Sequence, residues 1–104
     1  MKHYRQGDVL VIEDNGSEVG KEIKRDNGRV ILAYGEVTGH AHAFSGQNVY
    51  LYEHAKNAGE KILKVEKTSD LCHEEHSKIT IPAGKYRVII QREYSPEDIR
   101  NVRD

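Results

Sequence analysis

Apolar residues recur along the chain with period two, in short runs bounded by Gly, Asn, Asp and Ser. That period turns alternate side chains to opposite faces of an extended segment, which is the signature of a strand rather than a helix. It predicts strands over Asp8 to Glu13, Glu18 to Lys24, Arg29 to Tyr34, His40 to Phe44, Asn48 to Glu53, Lys61 to Glu66, Lys78 to Ile81 and Lys85 to Glu93. Turn chemistry fills the gaps at Asp14-Asn15-Gly16-Ser17, Asp26-Asn27-Gly28, Ser45-Gly46-Gln47-Asn48, Asn57-Ala58-Gly59 and Pro82-Ala83-Gly84. Asp26-Asn27-Gly28 is the strongest hairpin signal, because Asn-Gly tolerates the positive φ angles of a tight two-residue turn.

Strands this short, following one another at roughly ten-residue spacing, predict an all-β meander folded as a small barrel or a sandwich. The pattern does not choose between the two. At the C-terminus, Ser95 followed by Pro96, Glu97 and Asp98 reads as a helix start with Ser95 as N-cap. A short helical turn is expected there, packing Ile99 and Val102 on the sheets. No repeat, linker or low-complexity tract interrupts the chain, so residues 1–104 read as a single domain.

Composition narrows the functional classes. A chain of 104 residues, 37% of them hydrophobic, buries only about two thirds of the surface its unfolded form exposes, so the core is thin. That core is lean in aromatics, with six Tyr, one Phe and no Trp. With 16 Lys and Arg against 17 Asp and Glu, there is no global field to draw the chain to nucleic acid or an anionic membrane. Arg87, Arg92, Arg100 and Arg103, interleaved with Tyr86 and Tyr94, are offset by Glu93, Glu97, Asp98 and Asp104, and read as solvated surface. Cys72 is alone, whereas a domain this small in an oxidising compartment usually carries several cysteines, so a reducing cytoplasm is expected. The N-terminal residues lead into no apolar signal region and no apolar run is long enough to span a bilayer, so neither standard secretion nor a membrane anchor is expected.

Histidine is the departure: of six, four fall in two short clusters. In Gly39-His40-Ala41-His42-Ala43-Phe44, a strand projects His40 and His42 to the same side. In His73-Glu74-Glu75-His76, the two imidazoles share a side only if Cys72 to Ser77 forms a turn. Imidazole is a ligand for Zn, Ni, Fe and Cu, and Zn is the first candidate here, with Ni and Fe behind it. Four ligands from His40, His42, His73 and His76 would close a structural site, whereas three would leave a position for water. Glu74 or Glu75 then has the chemistry of a ligand or of a general base at that water. The bland alternatives are a polar pair on a solvent-facing strand and a solvated loop. Cys72, beside Leu71, reads as a small buried residue rather than a fifth ligand. His3 and His54 read as surface residues. Thr38, Ser45 and Ser77 have no base and orienting acid in evidence, and no nucleophile is assigned.

Two resemblances follow from these motifs. Gly35 to His42, with the later Ile81-Pro82-Ala83-Gly84-Lys85-Tyr86-Arg87-Val88, resembles a small cupin, with a Gly-led His-x-His strand and a Pro-x-Gly turn entering another strand. Cupins add a downstream Glu and a His after that turn to the metal site. Here Gly46 and Gln47 stand at the first place and Arg87 at the second, so the resemblance implies a metal site in which His73 and His76 substitute. The chain as a whole resembles an uncharacterised family of small bacterial and phage-associated proteins. The residues that carry it are Arg5 to Val9, Gly35 to His42, His73 to His76, Pro82 to Val88 and Gln91 to Tyr94. That resemblance implies no activity. Gly7-Asp8-Val9-Leu10-Val11 and Glu97-Asp98-Ile99 are faintly similar to the co-chaperonin barrel, which bears on fold only.

The leading expectation is therefore a small cytoplasmic β-barrel holding one transition metal through His40, His42, His73 and His76, in a structural or hydrolytic role. The rival is a metal-free module whose sheet edge or tyrosine face (Tyr50, Tyr52, Tyr86) docks a protein partner or a second copy of the chain. Neither names a substrate.

Overall fold

The computed structural model describes residues 2–35 and 39–91. They form ten strands: β1 (His3–Gln6), β2 (Val9–Glu13), β3 (Val19–Glu22), β4 (Val30–Tyr34), β5 (Ala41–Phe44), β6 (Val49–His54), β7 (Lys61–Val65), β8 (Ser69–His73), β9 (His76–Ile81) and β10 (Gly84–Ile90). Each strand expected from the alternating pattern is present. β1 and β8 are additional, and β9 starts at His76, ahead of the expected Lys78. No helix among the described residues is long and apolar enough to cross a membrane. The C-terminal helical turn expected at Ser95 to Val102 lies outside the described residues.

The strands form two antiparallel sheets, one of six strands in the order β1-β2-β10-β7-β6-β3 and one of four in the order β4-β5-β8-β9. This is the sandwich alternative rather than the barrel. β1 lies against β9 without sharing a ladder with it, so among the described residues both sheets keep free edges where a barrel would close. The Pro82-Ala83 link carries the chain from the edge strand β9 into β10, inside the other sheet. At the predicted hairpin, Asn27 and Gly28 have φ of 53° and 78° between the mutually bonded Asp26 and Arg29, the geometry of a type I′ turn.

The core lies between the sheets and follows the alternation. Val9, Val11, Val49, Leu51, Leu63, Val65, Tyr86 and Val88 come from one sheet, and Val30, Leu32, Phe44, Leu71 and Ile81 from the other. Phe44, the single phenylalanine, is fully buried. Tyr86 also points inward, and its hydroxyl donates to the Pro82 carbonyl at 2.7 Å. Cross-strand register places Tyr86 opposite Leu63, whereas Tyr50 and Tyr52 sit opposite Lys64 and Ile62, one residue out of phase. Tyr86 is thus removed from the expected tyrosine docking face.

Two features position the site. The four-stranded sheet is two hairpins, β4–β5 and β8–β9, joined by the single ladder pair Ala43 with Cys72. The β1–β2 turn at Gly7 and Asp8 belongs to the other sheet and reaches over that seam to the histidines.

Candidate metal centre

His42 shares a face of β5 with Phe44, so the alternation that buries the phenylalanine carries this imidazole inward as well, to 3% exposure. A buried polar ring requires a partner. Gln6, itself 3% exposed on β1, supplies one, with its Oε1 at 2.8 Å from His42 Nδ1. On the other side of the ring, Asp8 Oδ1 lies 3.8 Å from Nε2. Burial, followed by the neighbouring His73, pushes the His42 pKa down to about 4, against the opposing pull of Asp8. The ring is neutral near pH 7, which is the form a metal takes.

The other two histidines are presented by a hairpin. His73 ends β8 on the face of Leu71, and His76 opens β9 as its cross-strand partner, with Glu74 and Glu75 as the two-residue turn between them. The second cluster therefore does turn, as coordination by both rings would require, but within a hairpin whose first strand the sequence pattern had not revealed. Ring centroids are 4.8 Å apart for His73 and His76, 4.3 Å for His42 and His73, and 5.7 Å for His42 and His76. One ring nitrogen from each of the three histidines lies within 4.8 Å of the others. Tetrahedral Zn with nitrogens about 2.0–2.1 Å away spaces them about 3.3 Å apart, inside the 4.8 Å that bounds the three here.

The turn is pinned to the neighbouring hairpin. Glu74 Oε1 accepts the Ala41 amide at 3.0 Å, a bond that leads the lowering of the Glu74 pKa, and Arg29 stands 3.9 Å from its other oxygen. The Glu75 amide donates to His73 Nδ1 at 3.0 Å. Coordination by the neutral His73 ring competes with that bond: at Nδ1 it takes the accepting lone pair, and at Nε2 it moves the ring proton to Nδ1.

His40 stands apart from the other three. Its Nδ1 faces Glu75 Oε2 at 3.1 Å, and its ring packs edge-on to His73 with centroids 6.0 Å apart. Of the four histidines singled out in the sequence, His42, His73 and His76 come together and His40 flanks them. Cys72 is exposed rather than buried: with Leu71 turned into the core, the next residue on the strand faces out. His54 Nδ1 accepts the amides of Lys56 and Asn57 in the β6–β7 turn, and His3 is exposed. Arg87, at the place of a cupin's last histidine, lies between Asp14 and Glu60 at 3.6 and 3.8 Å.

The three rings open onto a cavity of about 310 Å³, also lined by Gly7, Asp8, Tyr34, Gly35 and Glu75. A Cβ on Gly7, whose φ is +59°, would lie 2.9 Å from His76 Nε2 and 3.2 Å from His42 Cε1. One on Gly35 would come within 3.1 Å of His73 Nε2. Both glycines keep the space beside the imidazole nitrogens clear. A larger hollow of about 510 Å³ at the β6–β7 turn contains no comparable group of ligating side chains among the described residues. Gln6, Gly7 and Asp8 were not candidates on sequence grounds, although they lie within the Arg5 to Val9 motif.

No curated protein and no solved structure matches the chain. Residues 5–91 match a family described as a domain of unknown function (DUF8820), and the chain belongs to that family.

Proposed function

We propose that this protein binds one divalent transition metal, Zn first among candidates, through His42, His73 and His76, and that water completes the coordination. The observation that carries the reading is the convergence of three ligating nitrogens within 4.8 Å, drawn from three different strands. Three imidazoles with a position left open onto a cavity are the arrangement of catalytic rather than structural Zn. Such a metal lowers the pKa of its water to about 7, and the carboxylates of Asp8 and Glu75 on the cavity wall have the chemistry to accept the proton. Hydrolysis is the reaction class this chemistry favours.

Metal analysis of untagged protein purified after growth with Zn tests the reading. One metal per chain is expected in the wild type and in His40→Ala, and almost none in His42→Ala or His76→Ala. Substoichiometric wild-type metal, or full occupancy in both ligand variants, would overturn it. Loss of metal from His40→Ala would instead return the site to a closed set of four.

Tyr50 and Tyr52, together on the outer face of the six-stranded sheet, keep the docking alternative in play. That reading requires a melting temperature indifferent to chelator and a solution mass above that of one chain.

A further inference from the structure

We infer that Gln6 is a positioning residue that sets the protonation pattern of His42, holding its Nε2 lone pair ready for a ligand before any metal arrives. The inference rests on the metal reading and is carried by the hydrogen bonds around one buried amide. Gln6 Nε2 donates to two backbone carbonyls, Leu71 O at 2.9 Å on β8 and Ser77 O at 3.0 Å on β9. Carbonyl oxygens only accept, so these bonds fix which end of the amide is nitrogen. The atom left facing His42 Nδ1 at 2.8 Å is therefore Oε1, which also only accepts. His42 must donate from Nδ1. A neutral imidazole has one proton, so Nε2 keeps its lone pair on the side of Asp8 and the cavity.

The same amide ties the ring to the hairpin that brings the other ligands. Its two donor bonds grip β8 and β9 beside His73 and His76, while its acceptor holds His42 of β5. Gln6 thus sets both the proton on one ligand and the placement of that ligand against the other two. Partners of this kind, which hold the far nitrogen of a ligating histidine, typically account for about 10–100-fold in metal affinity.

Two substitutions separate this role from simple support of the fold. Gln6→Met matches the length but has neither donor nor acceptor of comparable strength, whereas Gln6→Glu keeps an oxygen acceptor beside Nδ1 and loses the amide donors. Imidazole ¹⁵N spectra of the metal-free proteins report the tautomer, and competition with a chromophoric chelator gives the Zn affinity. Expected in the wild type is a His42 ring protonated at Nδ1 and bare at Nε2. In Gln6→Met the ring should show mixed tautomers and Zn should bind about 10–100-fold more weakly. Gln6→Glu should be destabilised yet keep the wild-type tautomer and bind Zn more tightly than Gln6→Met does. If the wild type takes up no Zn, the metal reading fails and this role falls with it. If it binds Zn but His42 carries its proton on Nε2, or if both variants lose affinity equally, the positioning role alone is overturned. Should Gln6→Met not fold, the wild-type tautomer and the tautomer of Gln6→Glu decide.

Discussion

His42 is the residue on which most of the proposed chemistry turns, and its burial has a consequence independent of any metal. Its pKa falls from 6.5, a value appropriate to the unfolded chain, to about 4 in the fold. Between those values the unfolded chain takes up a proton that the folded chain refuses, so folding stability declines as pH is lowered through this window. The groups facing the ring are His73 and His76, which oppose its protonation, and Asp8 and Glu74, which favour it. At about 1.4 kcal/mol per unit, the loss is on the order of 3 kcal/mol in the metal-free protein. Urea unfolding of chelator-treated protein at pH 7 and pH 4.5 should show most of it, and His42→Gln should flatten the dependence. An equally steep dependence in that variant would place the effect elsewhere. Asp14 and Glu74 do not confuse the comparison. The Ser17 hydroxyl and the Ala41 amide hold their carboxyls below the ordinary range, so their acid losses set in at the lower end of the window.

At the scale of elements, the β8–β9 hairpin presents two candidate ligands and spends one of their lone pairs on itself, through the Glu75 amide bond to His73 Nδ1. Titration with Zn should therefore shift the Glu75 amide resonance and speed its hydrogen exchange; binding of Zn with that amide unmoved would show that His73 is not a neutral ligand. The same hairpin explains what was legible in the sequence. Strands that carry alternate Val, Leu and Ile into the core announced themselves, as did the Asn27-Gly28 turn. β8 did not, because in Ser69-Asp70-Leu71-Cys72-His73 only Leu71 is buried. β1 did not, because its one buried side chain is the polar Gln6. An inward-facing glutamine or histidine breaks the apolar code of a strand, and those are the residues that make the site. The paired histidines were visible as spacings. Their partners Gln6, Gly7 and Asp8 became recognisable only when β1 was placed against β9.

Across the whole molecule, the candidate ligands straddle the join with the fewest ladder pairs among the described strands. His42 belongs to one hairpin of the four-stranded sheet, His73 and His76 to the other, and their ladder is the one pair Ala43 with Cys72, flanked by the Glu74 bond to the Ala41 amide. Metal held by all three would fasten the hairpins and add its binding free energy to a thin core. Zn should therefore raise the melting temperature by several degrees, with amide protection gained in β5, β8 and β9 more than in β7 and β10. Uniform protection, or none, would count against the staple. Without metal, parting of the seam would bare the adjoining edges of β5 and β8, each with backbone donors and acceptors ready to pair with another chain. Metal scarcity would then be read out as self-association, through strand exchange between copies, before it was read out as unfolding.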